Sequence, residues 1–190
     1  MDALELLTAD HNRVRGLFKR FKAAEERDDS TAMQEMAAKI VEELTIHTTI
    51  EEEIFYPAIK DASEEIKDVV EEGWQEHLVA KRLIEDLGTC ETGSDSWVAK
   101  VKVLIESVEH HADEEEKEMF PPVRSRTEPE TREALGETMA ARKVEMGAPP
   151  MEMALDLTMA ELDELAKQQE IPGRSKMDKK ELAATVDPRG

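Results

Sequence analysis

Two stretches of this chain carry the same spacing of chemically capable residues. His47-Thr-Thr-Ile-Glu51 runs on to Phe55-Tyr56-Pro57, and His111-Ala-Asp-Glu-Glu115 runs on to Phe120-Pro121-Pro122. Each places an imidazole four residues before a carboxylate. On a helix, positions i and i+4 lie one above the other on the same face, so each pair forms a two-pronged ligand set. One such pair can hold one metal ion, and two facing pairs can hold two.

The elements that must position these pairs are helices with apolar stripes. From an N-cap at Asp2 to about Arg27, Leu4, Leu7, Val14, Phe18 and Phe21 keep a seven-residue rhythm broken by His11. After the turn signal Asp28-Asp29-Ser30, a second helix carries Met33, Met36, Ile40, Leu44, His47, Glu51 and Ile54 on one stripe and is expected to end near Pro57. A third, from Ser63 to Gly88, shows Ile66, Val70, Gly73, His77, Ala80, Ile84 and Leu87; a fourth shows Trp97, Val101, Leu104, Val108, His111 and Glu115 and is expected to stop at Phe120 and its two prolines. Every stripe is interrupted by a histidine.

The heights agree at the first two turns; at the third, His77 lies about 14 residues before residue 91 and His111 about 20 after it, a mismatch assigned to the longer loop. With turn centres near residues 29 and 62, His11 and His47 lie about 18 residues either side of the first, and His47 and His77 about 15 either side of the second, so an up-down bundle brings them to one level. A buried His or Glu is costly unless paired, hydrogen-bonded or metal-bound. The six residues His11, His47, Glu51, His77, His111 and Glu115 therefore form the candidate metal ligands. Imidazole with carboxylate suits iron, manganese or zinc. His110 points about 100° away from His111 and stays outside the set. Glu52, Glu53, Glu114 and Glu116 are expected on a solvated face.

Composition sets the class. The 190 residues include 45 Asp and Glu against 25 Lys and Arg, a formal net charge of −20, which excludes a chain that coats nucleic acid or an anionic membrane along its whole length. Runs rich in Glu, Lys, Ala, Met and Leu predict an all-α protein. Cys90, the one cysteine, has no intrachain partner, and neither a secretory leader nor a membrane span is evident, so a cytoplasmic protein is expected. Three regions are anticipated: a four-helix bundle over residues 1–125, an extra helix from about Glu128 to Met146 with a linker at Gly147-Ala148-Pro149-Pro150 over 126–150, and a helix-loop-helix over 151–190 whose turn carries Arg174, Lys176, Lys179 and Lys180.

The ordered set His11, His47-x-x-x-Glu51, His77 and His111-x-x-x-Glu115, with its aromatic-proline endings, resembles the hemerythrin-like HHE family over residues 1–125. The resemblance implies a non-heme centre of two iron ions bridged by Glu51, Glu115 and an oxo or hydroxo group. Oxygen-carrying members supply a fifth histidine one turn before the third-helix ligand and a carboxylate five residues after the fourth-helix histidine. Here Gly73 stands at the first position and the second spacing is four, as in bacterial and mycobacterial hemerythrin-like proteins. An iron position near Gly73 is thus expected to be open; Tyr56, five residues after Glu51, is expected to pack in the core, with a role at the cluster as hydrogen-bond donor or ligand as the alternative.

The expected function is reaction with hydrogen peroxide or a related oxidant, catalase- or peroxidase-like, in oxidative or nitrosative stress defence. The alternative is a non-catalytic sensor or binder of oxygen, nitric oxide or iron. The segment from Leu157 to Val186 is similar to the Rho termination factor N-terminal, SAP-like module, which implies a weak nucleic-acid or protein partner for residues 157–190 and none in the membrane.

Overall fold

The computed structural model describes residues 1–189. Four long helices, α1 (Ala3–Glu25), α2 (Ser30–Ile50), α4 (Glu64–Leu87) and α5 (Asp95–Glu114), run alternately up and down as a bundle, with α3 (Tyr56–Ile59) between α2 and α4. No strand occurs among the described residues. Each long helix starts where its sequence supplies a cap. Asp2 and Glu5 form a reciprocal capping box, and Asp29, Ser63 and Ser94 each accept from a backbone N–H of the first turn.

The apolar stripes divide into two separate cores. One gathers Phe18, Phe21, Ile40, Leu44, Trp97, Val101, Leu104 and Ile105. The other gathers Leu4, Leu7, Ile50, Phe55, Tyr56, Ile66, Val70, Met119 and Phe120. On every one of the four helices the histidine lies between residues of the first core and residues of the second, so a buried polar layer is held between two apolar plugs.

The second and fourth helices do not end where the prolines suggested. Glu51–Phe55 and Glu115–Met119 form π turns, in which Tyr56 N–H donates to the Glu51 carbonyl and Phe120 N–H to that of Glu115. The helices then resume as α3 and as α6 (Phe120–Arg126). A proline cannot donate, and its ring crowds the carbonyl four residues back. Widening the preceding turn accommodates Pro57 and Pro121 without breaking the helix. The wider turn also directs the two residues before each proline inward, so that Phe55, Tyr56, Met119 and Phe120 are all buried.

The extra helix α7 (Pro129–Glu145) packs along α1, tightly enough that a Cβ at Gly136 would lie 2.5 Å from the Met1 carbonyl oxygen. Beyond it come α8 (Met151–Leu155), which the sequence reading did not anticipate, then α9 (Met159–Gln168) and α10 (Lys179–Thr185) around a small core of Ala154, Leu162, Ala166, Ile171, Leu182 and Val186. This tail is docked on α1. The buried Arg13 guanidinium donates to the Thr185 and Ala184 carbonyls and pairs with Glu43 on α2.

No helix is long and apolar enough to cross a membrane among the described residues. Breaking a buried ion pair leaves an uncompensated charge, at a cost of about 3 to 5 kcal/mol. Arg13→Ala is accordingly expected to lower the stability of the whole chain by about that amount and to expose residues 151–189 to limited proteolysis, read by mass spectrometry of the fragments.

Candidate metal centre

All six residues singled out by spacing meet in the polar layer, and all six are buried. Glu51 Oε2 stands 3.2 Å from His47 Nε2 and 3.3 Å from His77 Nε2. Glu115 Oε2 stands 3.3 Å from His11 Nε2 and 3.9 Å from His111 Nε2. Two groups of converging donor atoms result, one of His11, His47, Glu51 and Glu115 and one of Glu51, His77 and His111. Each carboxylate thus lies between an imidazole of the His11–His47 pair and one of the His77–His111 pair.

The donors face each other without a chain group to neutralise them. His77 and His111 bring their Nε2 atoms to 3.1 Å, although each turns its Nδ1 toward a carboxylate and so keeps its proton there. His11 Nε2, His47 Nε2, both Glu51 oxygens and Glu115 Oε2 are buried with no hydrogen-bond partner. Such orphaned acceptors are rare and costly inside a protein. A cation satisfies them all at once, so the donor set fits one or more metal ions.

Burial and the neighbouring ligands together set the titration of these groups. Burial, and then the charge of Glu115, push the Glu51 carboxyl well above its ordinary range. Burial would push Glu115 up too, but His111 and His11 hold it below that range. Burial, reinforced by His111, drives His77 down to about 2, which leaves it a neutral imidazole. His47 is lowered, chiefly by burial; His11 is raised because Glu115 and Glu116 outweigh burial.

A second layer of carboxylates fixes the rings. His11 Nδ1 donates to Glu116 at 2.9 Å, His77 Nδ1 to Glu52 at 3.0 Å and His111 Nδ1 to Glu76 at 2.7 Å, while His47 Nδ1 stands 3.6 Å from Asp10. Cations hold three of these acids in turn: Arg15 on Glu116, Lys81 on Glu52 and Lys143, from α7, on Asp10. Such partners select the tautomer and raise the basicity of a metal-ligating histidine. Glu52 and Glu116 are therefore not the solvated residues that the sequence reading expected. The doubled glutamate of each repeat, His-x-x-x-Glu-Glu, was the signal, since the first glutamate faces inward and the second reaches the histidine of a neighbouring helix. Glu53 does lie outward, paired with Arg142, while Glu114 is half-buried beside His110.

Gly73 lies where expected, but the space beside it is filled. A Cβ there would meet the Tyr56 hydroxyl at 2.7 Å. That hydroxyl donates to Glu115 Oε1 at 2.9 Å and stands 3.5 Å from His77 Nε2, placed there by the π turn after Glu51. Of the basic residues of the tail, Arg174 pairs with Asp163, Lys179 donates to the Leu155 carbonyl and Lys180 lies beside the chain's amino terminus.

Comparison with known proteins agrees with this geometry. Residues 2–123 match the Hemerythrin HHE cation binding domain. A protein of a Nostoc species named DNA nickase is 27% identical over 143 residues, 75% of this chain but 39% of that protein. An uncharacterised hemerythrin-like protein of Schizosaccharomyces pombe is 28% identical over 59% of this chain and 54% of its own length. The chain thus spans only about two fifths and about half of these two relatives. An uncharacterised protein of Mycobacterium tuberculosis is 26% identical over 80% of this chain and 91% of its own length. No solved structure matches. With the family match covering most of the bundle and the buried His and Glu clusters at its centre, the chain belongs to the hemerythrin HHE cation-binding family and is a metal-binding protein.

Proposed function

We propose that the chain holds two iron ions, His11 and His47 on one, His77 and His111 on the other, with Glu51 and Glu115 shared between them, and that it turns over hydrogen peroxide as a catalase or peroxidase. The observation that carries this reading is the division of the donors into two groups that share Glu51, with Glu115 of the first group also facing His111 at 3.9 Å. When bound, the iron pair supplies the redox equivalents by which two molecules of peroxide become two of water and one of dioxygen, or by which one peroxide oxidises a small reductant.

The protein groups supply the setting. Outer carboxylates hold His11, His77 and His111 by hydrogen bonds at Nδ1, which leaves Nε2 turned to the centre, and Asp10 stands 3.6 Å behind Nδ1 of His47. Tyr56 takes the place that a fifth histidine occupies in oxygen carriers. Burial, with Glu115 and Glu51 nearby, raises its phenol well above the ordinary value, so it stays a donor at neutral pH. A donor beside the centre stabilises developing negative charge on an oxygen atom, which favours peroxide turnover over reversible binding. Beside the His11–His47 side lies a cavity of only ≈ 10 Å³, lined by Val14, Phe18, Leu44 and Val108 among others. Such a space holds about one water-sized molecule.

A second reading, a non-catalytic sensor of oxygen, nitric oxide or iron, is favoured by one contact. Arg13 links the tail carbonyls to the helix face that carries Asp10, whose carboxylate stands behind His47. In that reading residues 151–190 form a Rho N-terminal, SAP-like module that reports to a nucleic acid or protein. The relative named DNA nickase suggests a nucleic-acid link, although Arg174, Lys179 and Lys180 of the basic turn are already engaged within the chain.

Freshly purified protein is expected to contain two irons per chain and to release dioxygen from peroxide faster than an equal amount of free iron. His47→Ala should abolish both, and two irons without dioxygen release would shift the weight to peroxidase or sensor. Tyr56→Phe keeps the packing and removes the donor, so peroxide turnover should fall roughly ten- to hundred-fold with the iron content retained; unchanged turnover would remove Tyr56 from the mechanism. Exhaustive chelation should lower Tm by roughly 10 °C, because a ligand at about a thousand times its Kd stabilises by about 4 kcal/mol and each kcal/mol shifts a chain of this size by about 2 to 4 °C.

A further inference from the structure

The outer layer around the four histidines is regular at three positions and different at the fourth. Behind His11, His47 and His77, the carboxylates Glu116, Asp10 and Glu52 are each neutralised by Arg15, Lys143 and Lys81 respectively. Behind His111, Glu76 accepts the Nδ1 proton at 2.7 Å, but what stands on its far side is not a lysine or arginine. It is His110 and Glu114, an i, i+4 pair on the outer face of α5, with His110 Nε2 3.2 Å from Glu114 Oε1.

One donor atom from each of Glu76, His110 and Glu114 lies within 4.8 Å of the other two. Glu72 and Glu118 add further negative charge against Glu114. The arrangement repeats, one step around the helix, the His-x-x-x-Glu spacing of the buried ligands. Unlike them it is open to solvent, since His110 is 67% exposed in its side chain. Two carboxylates and one imidazole from two rigid helices, at separations that small side-chain rotations would close to about 3 Å, are the donor set of a divalent first-row cation.

We infer that Glu76, His110 and Glu114 form a third, surface site for a divalent transition-metal cation. A cation there occupies the place that Arg15, Lys143 and Lys81 hold behind the other three histidines. It completes the outer layer and bears on His111 through the Glu76 hydrogen bond. The site does not depend on which metal fills the buried centre, or on whether that centre turns over peroxide. Because imidazole is one of its three donors, it should prefer Mn²⁺ or Zn²⁺ to Ca²⁺, which takes oxygen ligands.

The test uses full-length chain whose buried centre has first been loaded. Mn²⁺ is titrated in and the free ion is followed by electron paramagnetic resonance at physiological salt. One additional Mn²⁺ per chain is expected, displaced by Zn²⁺ and not by an equal concentration of Ca²⁺. In a double variant, His110→Ala with Glu114→Gln, the affinity for this ion should fall at least tenfold. Both residues are outside the buried centre, so the variant should keep its metal content and Tm. Absence of the extra equivalent, equal affinity in the double variant, or equal displacement by Ca²⁺ would each overturn the assignment, the last by reducing it to diffuse attraction to an acidic surface. A buried centre that takes up no metal in either protein would count against the di-iron reading alone, because metal-free chain would then bind a single Mn²⁺ that the variant loses.

Discussion

Charge compensation on the bundle axis is the constraint on which the rest of this structure depends. Four imidazole Nε2 atoms and two carboxylates converge in a buried layer, and among the described residues no lysine or arginine enters it. Arginine and lysine are present one layer further out, on Glu116, Glu52 and Asp10. The chain therefore places its own cations where they fix orientation and leaves the centre for an ion that it does not encode. Coulombic repulsion among unshielded donors is strong at low dielectric, so leaving out the positive charge lowers stability.

A two-part repeat solves the geometric problem. Each His-x-x-x-Glu-Glu segment sends its first glutamate to the centre and its second to the histidine of a neighbouring helix, Glu52 to His77 and Glu116 to His11. The histidines of α1 and α4, which have no i+4 glutamate of their own, are in this way oriented by the helices that do. The π turn that follows each segment completes the arrangement by setting aromatic side chains, Tyr56 and Phe120, against the layer. Phe120 stacks parallel to His11 at 6.0 Å, and Tyr56 nearly parallel to His77 at 5.5 Å.

Much of this was legible in the sequence because helical periodicity is a local property. The four stripes and the single break in each identify the bundle and its polar layer by spacing alone. What the sequence reading missed depended on non-local contacts. Glu52 and Glu116 looked solvated because their partners lie on other helices. Asp10 and Lys143 meet across α1 and α7, 133 residues apart in the chain. Pro57 and Pro121 looked like helix ends because a proline removes a donor, whereas the π turn before each allows the helix to continue. The space beside Gly73 could not be assigned to Tyr56 from spacing, since a regular helix directs residue i+5 elsewhere.

The placement of the polar layer between two apolar plugs also sets an order of assembly. Each plug draws on all or most of the bundle helices and can collapse without help from the middle. Hydrophobic collapse is fast, so the two plugs can draw the helices together before the layer between them is satisfied. The plugs are then the chain's own contribution to stability, and the waist is the part whose stability depends on the ion supplied.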